Sequence, residues 1–236
     1  MKVMIHKMEG CLPNTKLGFY QKGTYHNDSS LFLFMEVFMN INEIIEIFEQ
    51  LKKYVFFIEM GQNKKIILKF TNDKFYHLLG LHKMNLDQFF PKNIISKDKR
   101  YKYIKKNPDK FQNVIENQFK RKNLLELRVK TFTKILDLLK GENTSLYNFK
   151  NQNKSNPYSN YNGDFALTKT YQYDIFCLLG LKIDTTYDKY LSCVPNSWMA
   201  SHRINQLVEF RKASYMDKIT AIPKEFLNDL INSIYV

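Results

Sequence analysis

Five histidines, His6, His26, His77, His82 and His202, are the side chains of this sequence best suited to move protons near neutral pH. Their spacing argues against a metal. His77 and His82 lie five residues apart, which does not stack them on one helix face as an i, i+4 pair would, and Gly80 between them is expected to break the helix. The three cysteines, Cys11, Cys177 and Cys193, have no CxxC spacing, so neither a zinc site nor a disulfide framework is expected. The sequence also lacks a GxxxxGK[ST] phosphate loop, a GxGxxG turn, a GxSxG elbow and an HExxH helix. The expectation is chemistry with no metal and no cofactor.

One reaction class fits that inventory. RNA carries its own nucleophile, the 2′-OH, so cleavage needs only a base, an acid and a cation around one phosphate. The base takes the 2′-OH proton and the acid protonates the leaving 5′-oxygen. A Lys or Arg steadies the extra negative charge of the transition state. The products are a 2′,3′-cyclic phosphate and a 5′-OH. His, Lys, Arg, Ser, Thr and Tyr suffice, and the chain carries all of them near predicted element ends.

The charge suits an anionic partner. There are 36 Lys and Arg against 23 Asp and Glu, a formal +13. Richness in Lys, Asn, Ile, Tyr and Phe suggests AT-rich coding drift as a rival cause, but drift spreads charge evenly. Here 14 basic and 4 acidic residues fall between Lys92 and Lys134, a local excess of about +10, while the remainder nets about +3. No secretory leader is legible in MKVMIHKMEGC, and the apolar run from Leu31 to Met39 is too short to span a bilayer. A cytoplasmic protein with no membrane contact is expected.

The elements that must position this chemistry follow from periodicity. Residues 1–40, broken by Gly10, Pro13, Gly18 and Gly23, read as an N-terminal extension. Ile41, Ile44, Ile45, Phe48 and Leu51 recur at helical spacing after a capping Asn40 or Asn42. YVFFIEM (Tyr54 to Met60) and KIILKF (Lys65 to Phe70) read as a hairpin turned by Gly61-Gln62-Asn63. A short helix follows from Asp73 to Leu79, with Gly80 left-handed at its end. Pro108 opens a helix with the apolar stripe Phe111, Val114, Ile115 and Phe119. A second stripe runs Leu125, Val129, Phe132, Leu136 and Leu139 to Gly141. The polar stretch Asn151 to Gly163 reads as a loop. Beyond it, Phe165 to Thr170, Tyr173 to Leu181, Lys189 to Trp198 and Tyr215 to Ile219 read as strands, and Pro223 opens a last helix. Trp198, Cys177 and Cys193 read as core. Helices followed by a run of strands predict an α+β fold: helices packed on a C-terminal antiparallel sheet of about four strands, with an N-proximal hairpin.

Three stretches carry a family resemblance. KFTNDKFYHLLGLHKM spans Lys69 to Met84; FALTK, Phe165 to Lys169, leads into the strand DIFCLLGL; YLSCVPNSWMASH spans Tyr190 to His202. In this order they resemble a phage- and mobile-element-associated branch of the barnase–EndoU–colicin–RelE nucleases. The resemblance implies helices packed on a four-stranded antiparallel sheet that bears the active site. It also implies one nuclease-like domain over residues 41–236, with the basic helices at about 92–140 departing from the family pattern as an insertion. By position it implies catalytic roles for His77, Lys169 and Ser197, with His82, His202 and Arg203 nearby as nucleic-acid contacts.

Lys99, Arg100, Lys102, Lys105 and Lys106 are expected on a solvent-facing basic surface that meets phosphates. The leading expectation is a metal-independent, toxin-like RNA endonuclease whose partners are RNA or another polyanion and an acidic host or cognate inhibitor protein. The alternatives are a non-catalytic phage-encoded inhibitor of a host defence complex, and a nucleic-acid-binding protein using its basic helices.

Overall fold

The computed structural model describes residues 40–61, 64–86, 88–119, 123–149, 163–172, 175–201, 213–214 and 216–235. Residues 1–39 of the N-terminal extension, His202 and Arg203 therefore lie outside the described residues, as do most of the polar loop and Gln62-Asn63 of the hairpin turn.

Helix α1 (Ile41–Lys53) starts where expected. The Asn40 side chain accepts from the backbone N–H groups of Asn42 and Glu43, and Ile41, Ile44, Ile45, Phe48 and Leu51 line its buried face. The chain enters β1 (Tyr54–Met60) at once and returns in β2 (Lys64–Lys69), an antiparallel pair in register from Val55↔Lys69 to Met60↔Lys64. Helix α2 (Asn72–Leu78) ends before Gly80, whose φ of 72° turns the chain into a 3₁₀ turn, Leu81–Lys83.

The basic segment is built into the core. Helices α3 (Lys97–Lys106), α4 (Pro108–Phe119), α5 (Asn123–Lys130) and α6 (Lys134–Leu138) bury Tyr101, Ile104, Phe111, Ile115, Val129, Ile135 and Leu138 against α1, α2 and the sheet. The apolar stripe from Leu125 to Leu139 is two helices and not one. Thr131 Oγ1 donates to the carbonyls of Leu127 and Arg128, and the backbone bonds tighten to i→i−3 from Phe132 to Lys134, which breaks the α-helical ladder.

Strands β3 (Ser145–Asn148), β4 (Phe165–Thr170), β5 (Phe176–Thr186), β6 (Leu191–Ser201), β7 (Ala213–Ser214) and β8 (Met216–Pro223) follow, and α7 (Leu227–Tyr235) closes the chain. The strand order β7-β3-β4-β5-β6-β2-β1-β8 corrects the expected four-stranded sheet with a separate hairpin. The hairpin is part of the sheet: β2 pairs parallel to β6 through Ile66↔Leu191, Ile67↔Ser192 and Leu68↔Cys193, and β8 pairs antiparallel to β1. The hairpin's two edges present unpaired backbone groups, and these distant strands satisfy them. Apolar alternation predicts that a segment is a strand but not which edge it joins.

The sheet has two differently covered faces. Phe165, Leu167, Cys177, Leu179, Leu181, Cys193 and Trp198 face the helices. On the other face α7 covers Val55, Phe57 and Ile67, while Ala166, Phe176 and Leu178 form a separate patch. Trp198 is fully buried, and its Nε1–H donates to Thr131 Oγ1 at 3.2 Å. Its role is core packing, as its place in an apolar run predicts. Among the described residues no helix is long and apolar enough to cross a membrane.

Candidate functional site

The left-handed turn at Gly80 brings together two imidazoles that sequence spacing alone keeps apart. The His77 and His82 ring centroids are 4.9 Å apart, one ring on the last turn of α2 and the other on the 3₁₀ turn beyond it. The expectation that five-residue spacing leaves them unstacked holds for a continuous helix; the chain reversal at Gly80 removes that condition. Lys97, at the start of α3, places its ammonium in a short hydrogen bond with His77 Nε2. Ser96 fixes the start of α3 by accepting from Lys99 N–H.

Both imidazoles titrate below the ordinary histidine value. For His77 partial burial comes first, then the charges of Lys97 and Lys74, which Asp73 opposes. For His82 partial desolvation also comes first, followed by His77, Lys83, Arg128 and Lys97. Both rings are therefore neutral at pH 7, in the form that accepts a proton.

Arg128 of α5 is the buried cation of this group. It is 8 % exposed, and burial lowers its pKa to about 10. Its guanidinium makes no hydrogen bond, ion pair or ring contact among the described residues, yet it is close enough for its charge to depress His82. Neither Arg128 nor Lys97 was expected from the sequence as a site residue. The signal for Arg128 is a charge three residues after Leu125 and four before Phe132, on the apolar face of its stripe. Lys97 has no comparable local signal, because only the packing of α3 on α2 brings it to His77.

Lys169 and Ser197 stand elsewhere on the sheet. Lys169, near the end of β4, is paired in register with Cys177 and so faces the helices; its ammonium meets Asp137 of α6 at 2.8 Å and lies 5.6 Å from the Tyr171 ring. Ser197 is paired with Gly180, between Leu179 and Leu181, which both face the helices. Partners in register share a face, so Ser197 points to the opposite side from Lys169. Its Oγ is sealed from solvent and has no hydrogen-bond partner among the described residues. The structure thus brings His77 to His82, and sets Lys169 and Ser197 on different faces of one sheet.

The expected basic surface on α3 divides into paired and free cations. Lys102 pairs with Asp98 at 2.7 Å and Lys105 with Glu49 at 3.2 Å. Arg100 is a buttress: it donates to Tyr76 Oη and to the Ile94 carbonyl, and stacks over the Tyr76 and Phe90 rings. Lys99 and Lys106 are exposed and have no partner among the described residues. Among the described residues no three His, Cys, Asp or Glu side chains gather as metal ligands do.

Comparison with protein families matches residues 40–235 to phage-Barnase-EndoU-ColicinE5/D-RelE like nuclease4. No curated protein and no solved structure matches the chain. The family match runs from the cap of α1 to the end of α7 and includes the two histidines, the basic helices and every described strand. On that span the chain belongs to this family of phage-associated nucleases.

Proposed function

We propose that the chain is a metal-independent RNA endonuclease that cleaves by attack of the 2′-OH on the adjacent phosphate. The observation that carries this reading is the His77–His82 pair held beside Lys97. Two imidazoles and a cation at one surface are the groups that the reaction requires. Neutral His77 is ready to accept the 2′-OH proton once the phosphate draws Lys97 away from Nε2. Lys97 then offsets the charge that builds on the phosphate. The anionic substrate raises the proton affinity of His82 by offsetting the surrounding cations, so the ring takes up a proton from water and passes it to the 5′-oxygen.

Lys169 has a different part in this reading. Its ammonium is matched by Asp137, so it fixes the end of β4 against α6. Ser197, on the far face, takes no part in the chemistry.

The test is purified protein with total cellular RNA in EDTA, followed by analysis of product ends. Fragments ending in 2′,3′-cyclic phosphate and 5′-OH support the reading. Fragments ending in 5′-phosphate and 3′-OH contradict it.

A second reading is favoured by Lys99 and Lys106: a binding protein that meets a polyanion through α3. It predicts binding to RNA without cleavage, so the same incubation separates the two.

A further inference from the structure

Arg128 is a buried charge that no other described residue pairs with or hydrogen-bonds. An isolated buried guanidinium costs free energy that a protein recovers only through a counter-charge or hydrogen bonds. Among the described residues neither is present, although Glu49, Asp98, Asp137 and Asp164 each have a basic partner. Arg128 keeps 8 % of its surface exposed and has no partner among the described residues, so a bound anion can supply the counter-charge.

Its neighbours define the sign of that ligand. Lys74 and Asp73 come from α2, Lys83 from the 3₁₀ turn and Lys97 from α3; all act electrostatically on the two imidazoles, and Asp73 is the sole acid among them. Asp73 is itself engaged by Lys74 at 2.8 Å and by Thr71 Oγ1 at 2.6 Å. Among the described residues named here the set carries more positive than negative charge. Helices α2 and α5 both pack on β6, so a rigid strand fixes the two sides of the group. A guanidinium presents donors in a planar fork that matches two oxygens of a phosphate, which an ammonium cannot do.

We propose that Arg128, Lys97, His77 and His82 form one phosphate-binding site, with Arg128 as its buried anchor. The assignment deepens the nuclease reading by naming the residue that grips the phosphate, and it gives the basic middle of the chain a place in the site. Arg128 waits for its counter-ion. In the free protein it is a source of instability, and the bound phosphate supplies the missing charge.

Inorganic phosphate is the probe, added to the full chain at constant ionic strength with chloride as the control. Two quantities are read: the midpoint of thermal unfolding, and the imidazole resonances of His77 and His82. Wild type should show a saturable rise in midpoint and a rise in both histidine pKa values. Arg128→Met should unfold at the same temperature as wild type or higher without phosphate, and bind phosphate at least tenfold more weakly. Arg128→Lys, which keeps the charge but loses the fork, should fall between them. Lys224→Gln, an exposed change just before α7, should bind phosphate as wild type does.

Equal phosphate binding by wild type and Arg128→Met overturns the proposal. So does a lowered midpoint for both Arg128 variants without phosphate, since that marks a structural arginine. RNA cleavage, measured separately, keeps the two claims apart. Phosphate binding through Arg128 without cleavage contradicts the nuclease reading alone; cleavage unchanged in Arg128→Met contradicts this assignment alone.

Discussion

The His77 and His82 rings meet with centroids 4.9 Å apart because Gly80, between them, adopts φ 72°. That backbone angle is open to glycine and strained for other residues. A single residue without a side chain thus controls the spacing of the two groups most capable of proton transfer.

Gly80→Ala is accordingly expected to cost about 1 kcal/mol in stability and to reduce cleavage by more than that loss of folded protein explains. Chemical denaturation and cleavage rates on the same samples check it. Cleavage that falls only in step with stability leaves the ring spacing without a role.

His77→Ala and His82→Ala should each lower the cleavage rate by about 10² to 10⁴, the usual contribution of one acid–base group. Neither should unfold the domain, since the rings lie at the surface of the core and not within it. Circular dichroism beside the rate measurement distinguishes chemistry from collapse.

The pH dependence has a definite sign. Both imidazoles have pKa values below 6.5 in the folded chain, so the unfolded chain binds more protons as pH falls from that value. Stability contributed by the neutral pair is present above pH 6.5 and is lost as pH falls through the folded values. The acid limb of kcat/KM should likewise lie below 6.5. A limb above 7 contradicts the assignment of His77 as base.

Glu49 supplies a control that touches neither imidazole. Its partial burial opposes ionisation, but hydrogen bonds from Lys52, Tyr101 and Lys105 outweigh it and hold the carboxyl at about 2. The stability it contributes is present above about pH 4.5 and is lost as pH falls towards 2. Glu49→Gln should cost about 1 kcal/mol at pH 7, because part of the cluster is open to solvent. It should also flatten acid unfolding and leave the midpoint unchanged at pH 2.

Much of the fold is legible in the sequence because its causes are local. Asn40 as a cap, the alternation in β1 and β2, and the break at Gly80 depend on residues within a turn of one another. The joining of β2 to β6 depends on a strand more than 120 residues away, and no local pattern encodes it. The site divides in the same way. His77 and His82 stand out as residues, but their proximity is a property of one φ angle. Lys97 reaches His77 only after α3 packs. Arg128 left a trace as a charge on an apolar stripe, and the overall excess of lysine and arginine in that region hid it.

The two remaining cations on α3 test the surface apart from the site. Lys99→Gln with Lys106→Gln should weaken RNA binding and reduce the log–log salt slope by about 0.7 for each lost phosphate contact on a single strand. The same changes at Lys102 and Lys105 should do less, because those ammonium groups already face carboxylates. Equal effects at all four positions indicate that net charge, and not the free pair, governs binding.

In the proposed reaction the attacking group belongs to the RNA. The most direct measurement uses a synthetic RNA with one mapped cleavage site, compared in EDTA with the same strand carrying a 2′-deoxynucleotide on the 5′ side of that bond. Cleavage at the substituted bond should be lost completely, with cleavage of the all-ribose strand intact. Cleavage of both strands at equal rates contradicts it.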